Sequence, residues 1–425
     1  MCVCVRVLEF LSLRGLERLI CRRYLPKAIA MVELLNGWRE MGKRDNPMPS
    51  LFHGLIWGPA EHDTCETPAY FFSVNTWSWR GMFEVGSYLV QSKLNATLGA
   101  HMLELAADFK IDIMRAAAGS AVMDSENTSK VHFLPPVAGR NQTVYKSMTG
   151  DGPYGGSSYS NFRYWSETLS SGCLGAEYDQ ALMNFRVTHG GTLLGMTRFR
   201  GWLDDMPTVG YAKSDIQYDR IPVFLQLLAG HVGGYQSPGT FWSTEQMALV
   251  GEGRWRGLLG GIVDIDYCVP SSMLPAFMAK WQMVYEDTDA GVVYLGKAAP
   301  RRWWQAGSEE FGVRNAPTVY GRLGWMAAPP SNGAGDGAPA TVVVSLGGVL
   351  DAVTLAVRVR SPSANQTFGK VELSSGSATI KSIVSERELI FLDVTPMSAS
   401  MAMRPSTPND VTLTVHFVRQ YIDAI

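Results

Sequence analysis

The chain runs to 425 residues, long enough for a large core and a second domain. Its 37 basic residues nearly balance 39 acidic ones, a net charge of -2, which argues against an extended surface for nucleic acid or anionic membrane. No uncharged apolar run reaches the length of a membrane span. The six cysteines lack C-x-x-C spacing, so neither a metal nor a cofactor is expected.

The opening MCVCVRVLEFLSLRGLERLI is interrupted by Arg6, Glu9, Arg14, Glu17 and Arg18, and lacks the unbroken apolar stretch of a signal peptide. Sequons at Asn95, Asn127, Asn141 and Asn365 point the other way, towards a secreted glycoprotein, and localisation stays open between the two. Residues 1–25 form an atypical leading segment. Helix is predicted over 16–45 with a break at Pro26, then over 75–94 and 98–117, where apolar residues recur at helical spacing. After a polar connection, helices are predicted over 159–169, 175–189, 195–203, 216–228, 242–259 and 271–284. Ser214-x-x-Gln217 and Ser243-x-x-Gln246 read as capping boxes and Asp63-x-x-Glu66 as a similar cap. Gly190-Gly191 reads as a helix stop.

The helical region is bounded at 26–310, and 311–339, rich in Pro and Gly, reads as a linker. Beyond it strands are predicted over 340–344, 354–359, 370–373, 378–384, 389–394 and 411–417. Alternation such as Leu355, Val357 and Val359 on one face supports a small antiparallel β-sandwich at 340–425.

Five loops, at 55–68, 150–167, 201–215, 233–246 and 263–272, each combine Gly or Pro with aromatics and carboxylates ahead of predicted helices. They suggest one acidic, aromatic-lined rim built on helical hairpins. The stretches SYSNFRYWSE (Ser158–Glu167) and HGGTLLGMTRFRGWLDDMP (His189–Pro207), followed by VPSSMLPAFMAKWQMVYE and VVYLGKAAPRRWWQAG, resemble the six-hairpin (α/α)6 glycosidase superfamily over about residues 50–310. That resemblance implies a mainly α fold, an (α/α)6-type toroid followed by the sandwich. With nine or ten predicted helices against twelve, the toroid would lack its opening hairpin. It also implies a carbohydrate substrate and glycoside hydrolysis, inverting as in much of the superfamily.

Such hydrolysis needs two carboxyl groups flanking the scissile bond. Asp204-Asp205, set beside Trp202 and Met206, offers an apolar setting for a general acid, with Asp205 preferred and Asp204 the runner-up. Both also read as solvated residues of an ordinary turn. Glu245 lies in GTFWSTEQ, similar to the aromatic-Glu stretch that supplies a base in some six-hairpin families; it also reads as an acid in a first helical turn. Glu61 is a further candidate for the base, and Asp63 a helix cap or hydroxyl ligand. Asp264 and Asp266 share one face of an extended segment suited to sugar hydroxyls. Trp57, Tyr159, Trp165, Trp202, Tyr211 and Trp242 lie in or beside the loops as stacking candidates, or as core. Two other classes compete. A polysaccharide lyase would use Tyr159, Asn161, Arg163 and His189, and a non-catalytic glycan binder would need no acid pair.

Overall fold

The computed structural model describes residues 14–60, 67–126, 130–140, 144–150, 156–204, 208–236, 242–248, 268–332, 338–349, 353–363, 365–374, 378–394 and 410–419. Two compact units emerge, one over 15–275 and one over 276–425, the division falling within the helix Val269–Met283.

In the first unit three long helices come first: α1 (Arg14–Asp45), α2 (Phe72–Gln91) and α3 (Ala96–Ser120). Pro26 lies inside α1 and does not end it, although its missing N–H forfeits one helical hydrogen bond. The α2 and α3 backbones approach closely where glycines meet: a Cβ on Gly86 would come 3.0 Å from the Gly99 carbonyl, and one on Gly99 2.8 Å from that of Gly86. Their inner faces (Trp79, Met82, Val85 and Leu89 against Met102, Phe109 and Ile113) join Val32 and Leu35 of α1 in one core. A second face of α1 leaves Tyr24, Met31, Leu34, Trp38 and Met41 exposed.

Shorter elements follow. The two-stranded ribbon β1 (Val122–Met123) and β2 (Val131–Phe133) leads to α4 (Gly156–Tyr159), a π-helical turn (Ser160–Tyr164) and α5 (Trp165–Ser171). Helix α6 (Ala176–Thr188) precedes β3 (Thr192–Leu193), β4 (Met196–Phe199) and β5 (Trp202–Asp204). Helices α7 (Thr208–Gln217) and α8 (Ile221–Gly230) precede β6 (Gln246–Ala248), which completes a four-stranded sheet in the order β3-β4-β5-β6. The helix α9 (Val269–Met283) comes next.

The second unit holds two five-stranded sheets. One has the order β13 (Gln366–Ser374), β16 (Asp410–Arg419), β11 (Ala340–Val349), β10 (Gly321–Ala328), β9 (Phe311–Thr318). The other has the order β14 (Ala378–Val384), β15 (Leu389–Val394), β12 (Val353–Arg358), β8 (Val292–Leu295), β7 (Val284–Asp287). Pairing is antiparallel throughout except for β8 with β12. Alternate residues of β16 (Val411, Leu413, Val415, Phe417) meet Leu355, Val357, Ile390 and Leu392 in a shared apolar core, as the period of two requires.

These observations overturn the mainly α toroid. Strands in four sheets occupy both units, and a strand-rich final third begins at Val284. Among the described residues the helices after α3 run 4 to 15 residues, and the strands β3 to β6 interrupt their succession. The helix expected over 195–203 is the β4–β5 hairpin, which reverses at Arg200 (φ 54), after a β3–β4 turn at Leu194 (φ 53). Ser243-x-x-Gln246 caps no helix; Gln246 opens a strand. Ser214 lies near the end of α7 rather than at a helix start. The sandwich is larger than 340–425, because β7 to β10 occupy the expected exit strand and linker.

Candidate functional site

Two motifs singled out in the sequence, Ser158–Glu167 and His189–Pro207, meet in one buried polar knot. Asn161 sits in the π-helical turn, an irregularity often found at functional sites. Its Nδ2 donates to the carbonyls of Gly191 (2.8 Å) and Arg198 (2.7 Å), and its Oδ1 accepts from Nε of Arg186 (3.0 Å). Arg186 also donates through Nη2 to Thr197 Oγ1 (3.0 Å), which shares a hydrogen bond with Thr208 Oγ1 (2.8 Å). The Arg186 guanidinium lies 3.5 Å from the centre of the Tyr211 ring, and the Tyr211 hydroxyl donates to the Asn161 carbonyl (2.5 Å). A Cβ at Gly191 would come 2.7 Å from Asn161 Oδ1, so the second glycine of the His-Gly-Gly stretch is sterically required.

From this knot the β4–β5 hairpin projects. Its strands pair through Arg198 with Leu203 and Phe199 with Trp202. Strand β5 pairs on its other edge with β6, setting Asp204 opposite Gln246 and Trp202 opposite Ala248. Glu245 thus stands next in sequence to the residue facing Asp204. The segment carrying it is tied down on its far side too: the Ser243 N–H donates to Ser272 Oγ (3.0 Å), and the Cys268 N–H donates to the Ser243 carbonyl (2.9 Å).

The predicted site residues divide into three groups. Asp204, Trp202, Glu245 and Trp242 come together on and beside this small sheet; Asp204 is 0% exposed, Trp202 and Glu245 are half-buried, and Trp242 is 52% exposed. Trp57, 60% exposed, belongs to another stretch of the unit, just before the bridge of Gly58 with Ala69. Tyr159, Trp165 and Tyr211 offer no face to a sugar. Tyr159 packs on Phe162 and Phe199, the Trp165 indole donates to the Leu134 carbonyl, and Tyr211 is covered by Arg186. Glu61, Asp63, Asp205, Asp264 and Asp266 lie outside the described residues.

Two buried carboxylates whose pKa burial raises, Asp179 and Asp215, escaped the sequence reading. Asp179, in the first turn of α6, accepts a hydrogen bond from the Tyr218 hydroxyl (2.6 Å). Burial pushes its carboxyl up to about 7, against the opposing pull of Tyr218, Lys213 and Lys110. Asp215, in α7, pairs with Arg220 (3.1 Å). Burial raises it to about 6, countered by Arg220 and Arg186. Hydrophobic flanks in the sequence carry no signal for either.

Among the described residues, no group of three or more His, Cys, Asp or Glu side chains is arranged to hold a metal ion, and no helix is long and apolar enough to cross a membrane. The chain matches no protein-family model and no curated protein sequence.

Proposed function

We propose that the chain is a carbohydrate-acting hydrolase, cleaving a glycosidic bond by carboxylate general acid/base catalysis. The observation that carries this reading is the β5–β6 register, which sets Asp204 opposite Gln246, the neighbour of Glu245, with Trp202 on the same strand as Asp204. Residues directly opposite on antiparallel strands have Cα atoms roughly 4.5–5.5 Å apart. Glu245, one residue along from Gln246, is therefore rooted near Asp204. Asp204 is enclosed, so the acid role goes to Asp205 and the base role to Glu245. Trp242, the more exposed indole, offers a flat apolar face for a sugar ring.

The lyase reading has less support. Its residues are committed elsewhere: Asn161 spends its side-chain amide on two carbonyls and Arg186, Tyr159 is packed among aromatics, and His189 stacks on Phe185 with Nδ1 against the Thr188 hydroxyl and the Phe185 carbonyl.

The test is reducing-end release from a panel of oligosaccharides and aryl glycosides. Asp205→Asn and Glu245→Gln are each expected to lower kcat by roughly 10²- to 10⁴-fold, the usual contribution of a positioned acid or base. The anomer of the first product should be inverted. Turnover that survives both substitutions would sink the assignment, and an unsaturated product absorbing in the ultraviolet would replace it with a lyase.

A further inference from the structure

We propose that α1 carries a docking face for a second copy of this chain, the two helices pairing antiparallel about a twofold axis at the level of Val32 and Glu33. The pairing is independent of any chemistry at the β3–β6 sheet.

One side of α1 is committed to the core. Val32, Leu35, Arg39 and Gly42 are buried there, and a Cβ on Gly42 would collide with the Leu55 carbonyl. Another side is bare. Tyr24, Met31, Leu34, Trp38 and Met41 are 36% to 49% exposed. With the exposed Lys27 they form an unbroken row, Tyr24-Lys27-Met31-Leu34-Trp38-Met41, in which steps of three and four residues alternate. A solvated helix face carries polar side chains, so large apolar ones in a line mark an interaction surface. Alternating steps of three and four are the a and d positions of a heptad, and the cover such a row fits is another helix. Ala30 and Gly37 stand exposed along its edge, and a Cβ at Gly37 would meet nothing within 4 Å, which leaves room for a second backbone to approach.

A second copy is selected because the row matches itself reversed. About a twofold axis, a residue that meets another on the second copy is met by it in return. Laid antiparallel, Met31 meets Leu34 of the second copy, Tyr24 meets Met41 and Lys27 meets Trp38, and each pair recurs across the axis. These layers span roughly 27 Å of helix and use every member of the row. Lys27, its one charged member, lands on the indole face of Trp38, a cation–π contact. A parallel pair would instead set Lys27 against Lys27 inside the seam, where like charges repel. The antiparallel arrangement has its own cost at the ends, where Arg23 and Arg44 of opposite copies come near each other on the exposed rim. A lipid surface fits less well, because Glu33 and Glu40 stand exposed on the same helix. So short a seam belongs with the small, reversible interfaces, and the pair should form and part with concentration.

The experiment follows the molar mass of the full chain by sedimentation from about 1 to 200 µM. Mass is expected to rise towards that of two chains across the range. Leu34→Glu and Met41→Lys change exposed positions and leave the core untouched. Each should raise the dissociation constant at least about tenfold, with thermal unfolding of the dilute protein unchanged. Orientation is read by mixing Tyr24→Cys chains with Met41→Cys chains under mild oxidation and mapping the cross-linked peptides. A disulfide between position 24 of one chain and position 41 of the other is expected in the mixture, with none joining 24 to 24 or 41 to 41 in either variant alone. The mass of one chain at every concentration would overturn the proposal, as would a dimer that both seam variants leave intact. Cross-links of 24 to 24 or 41 to 41 would overturn the antiparallel pairing. Monomeric protein that sediments with vesicles of phosphatidylcholine and phosphatidylserine would give the face to lipid instead.

Discussion

Asp179 in the first unit is enclosed and Glu388 in the second is half-buried, and their surroundings send the two carboxylates in opposite directions. Asp179 receives one hydrogen bond, from Tyr218, and burial lifts it to about 7. Glu388 is also penalised by burial, yet Arg301, the Ser361 N–H, Arg360 and the Ser361 hydroxyl together outweigh that and hold it below the usual range. Depth alone therefore does not set the charge state; the number of donors aimed at the carboxylate does. The same contrast runs through the two interiors. The second unit buries Leu355, Val357, Leu392 and Leu413 face to face and also encloses Lys297 and Arg358, whereas the first unit threads more polar side chains through its interior, among them Arg39, Asp112, Asn161 and Arg186.

The sharpest way to break that comparison is to remove a partner of a buried charge. Arg39, wholly enclosed, donates to Asp108 (2.5 Å) and Asp112 (2.7 Å), and Asp112 also accepts from Arg115 (2.8 Å). Asp112→Ala takes away the buried partner of the guanidinium, leaving it the half-exposed Asp108, and is expected to cost about 3–5 kcal/mol in urea unfolding followed on the first unit. The double variant Arg39→Met/Asp112→Leu should recover most of it, since an apolar pair of similar size removes the unmet charge. A double variant as unstable as the single one would show that the pair itself, rather than the orphaned cation, carries the loss.

A second test uses the opposite titrations. The folded pKa of Asp179 is raised, so between about pH 4 and 7 the folded state holds a proton that the unfolded state has shed. Its contribution to stability therefore declines as pH rises through that window, by roughly 1.4 kcal/mol per unit at most. Glu388 is lowered, so its contribution is present above the unfolded pKa of about 4.3 and is lost as pH falls through the folded value. Amide exchange measured separately on the two units should show the first losing protection from about pH 4 to 7 and the second losing it only in acid. Asp179→Asn keeps an acceptor for Tyr218 and should flatten the first slope. A slope unchanged in that variant would assign it to another group, Asp215 first.

The two units also differ in how far they could be read from the sequence. In the sandwich, alternation located β11, β12, β14, β15 and β16 within a few residues, because each strand buries one row of side chains in a common core. Strands β9 and β10 were lost in a Pro- and Gly-rich stretch, where exposed positions such as Arg314 and Asn315 blur the pattern. The long helices α1 to α3 were legible from their apolar period. The later part of the first unit was not, because polar contacts across wide gaps in sequence decide it. Arg186 finds Asn161 across 25 residues, and Gln246 finds Asp204 across a helix pair. Ser243-x-x-Gln246 satisfies the local rule for a helix start, and pairing with β5 overrides it. The motifs around Asn161 and Gly191 were visible as fragments; their meeting was not.

The smallest effect tests whether local rules hold where tertiary contacts are few. Asn95 precedes α3 and accepts from the Leu98 N–H through Oδ1 (3.1 Å), on an exposed corner. Asn95→Ala leaves that N–H to water and should cost about 1 kcal/mol, the usual value of such a cap. Asn95→Asp keeps the acceptor and adds a negative charge at the positive end of the helix, so it should match or slightly exceed the wild type, by roughly 0.3–1 kcal/mol at low salt. Thermal unfolding in low and high salt separates the two contributions, because only the charge term is screened. An alanine variant as stable as the wild type would mean that the packing of α2 on α3 through Gly86 and Gly99 fixes this helix start without help from its cap.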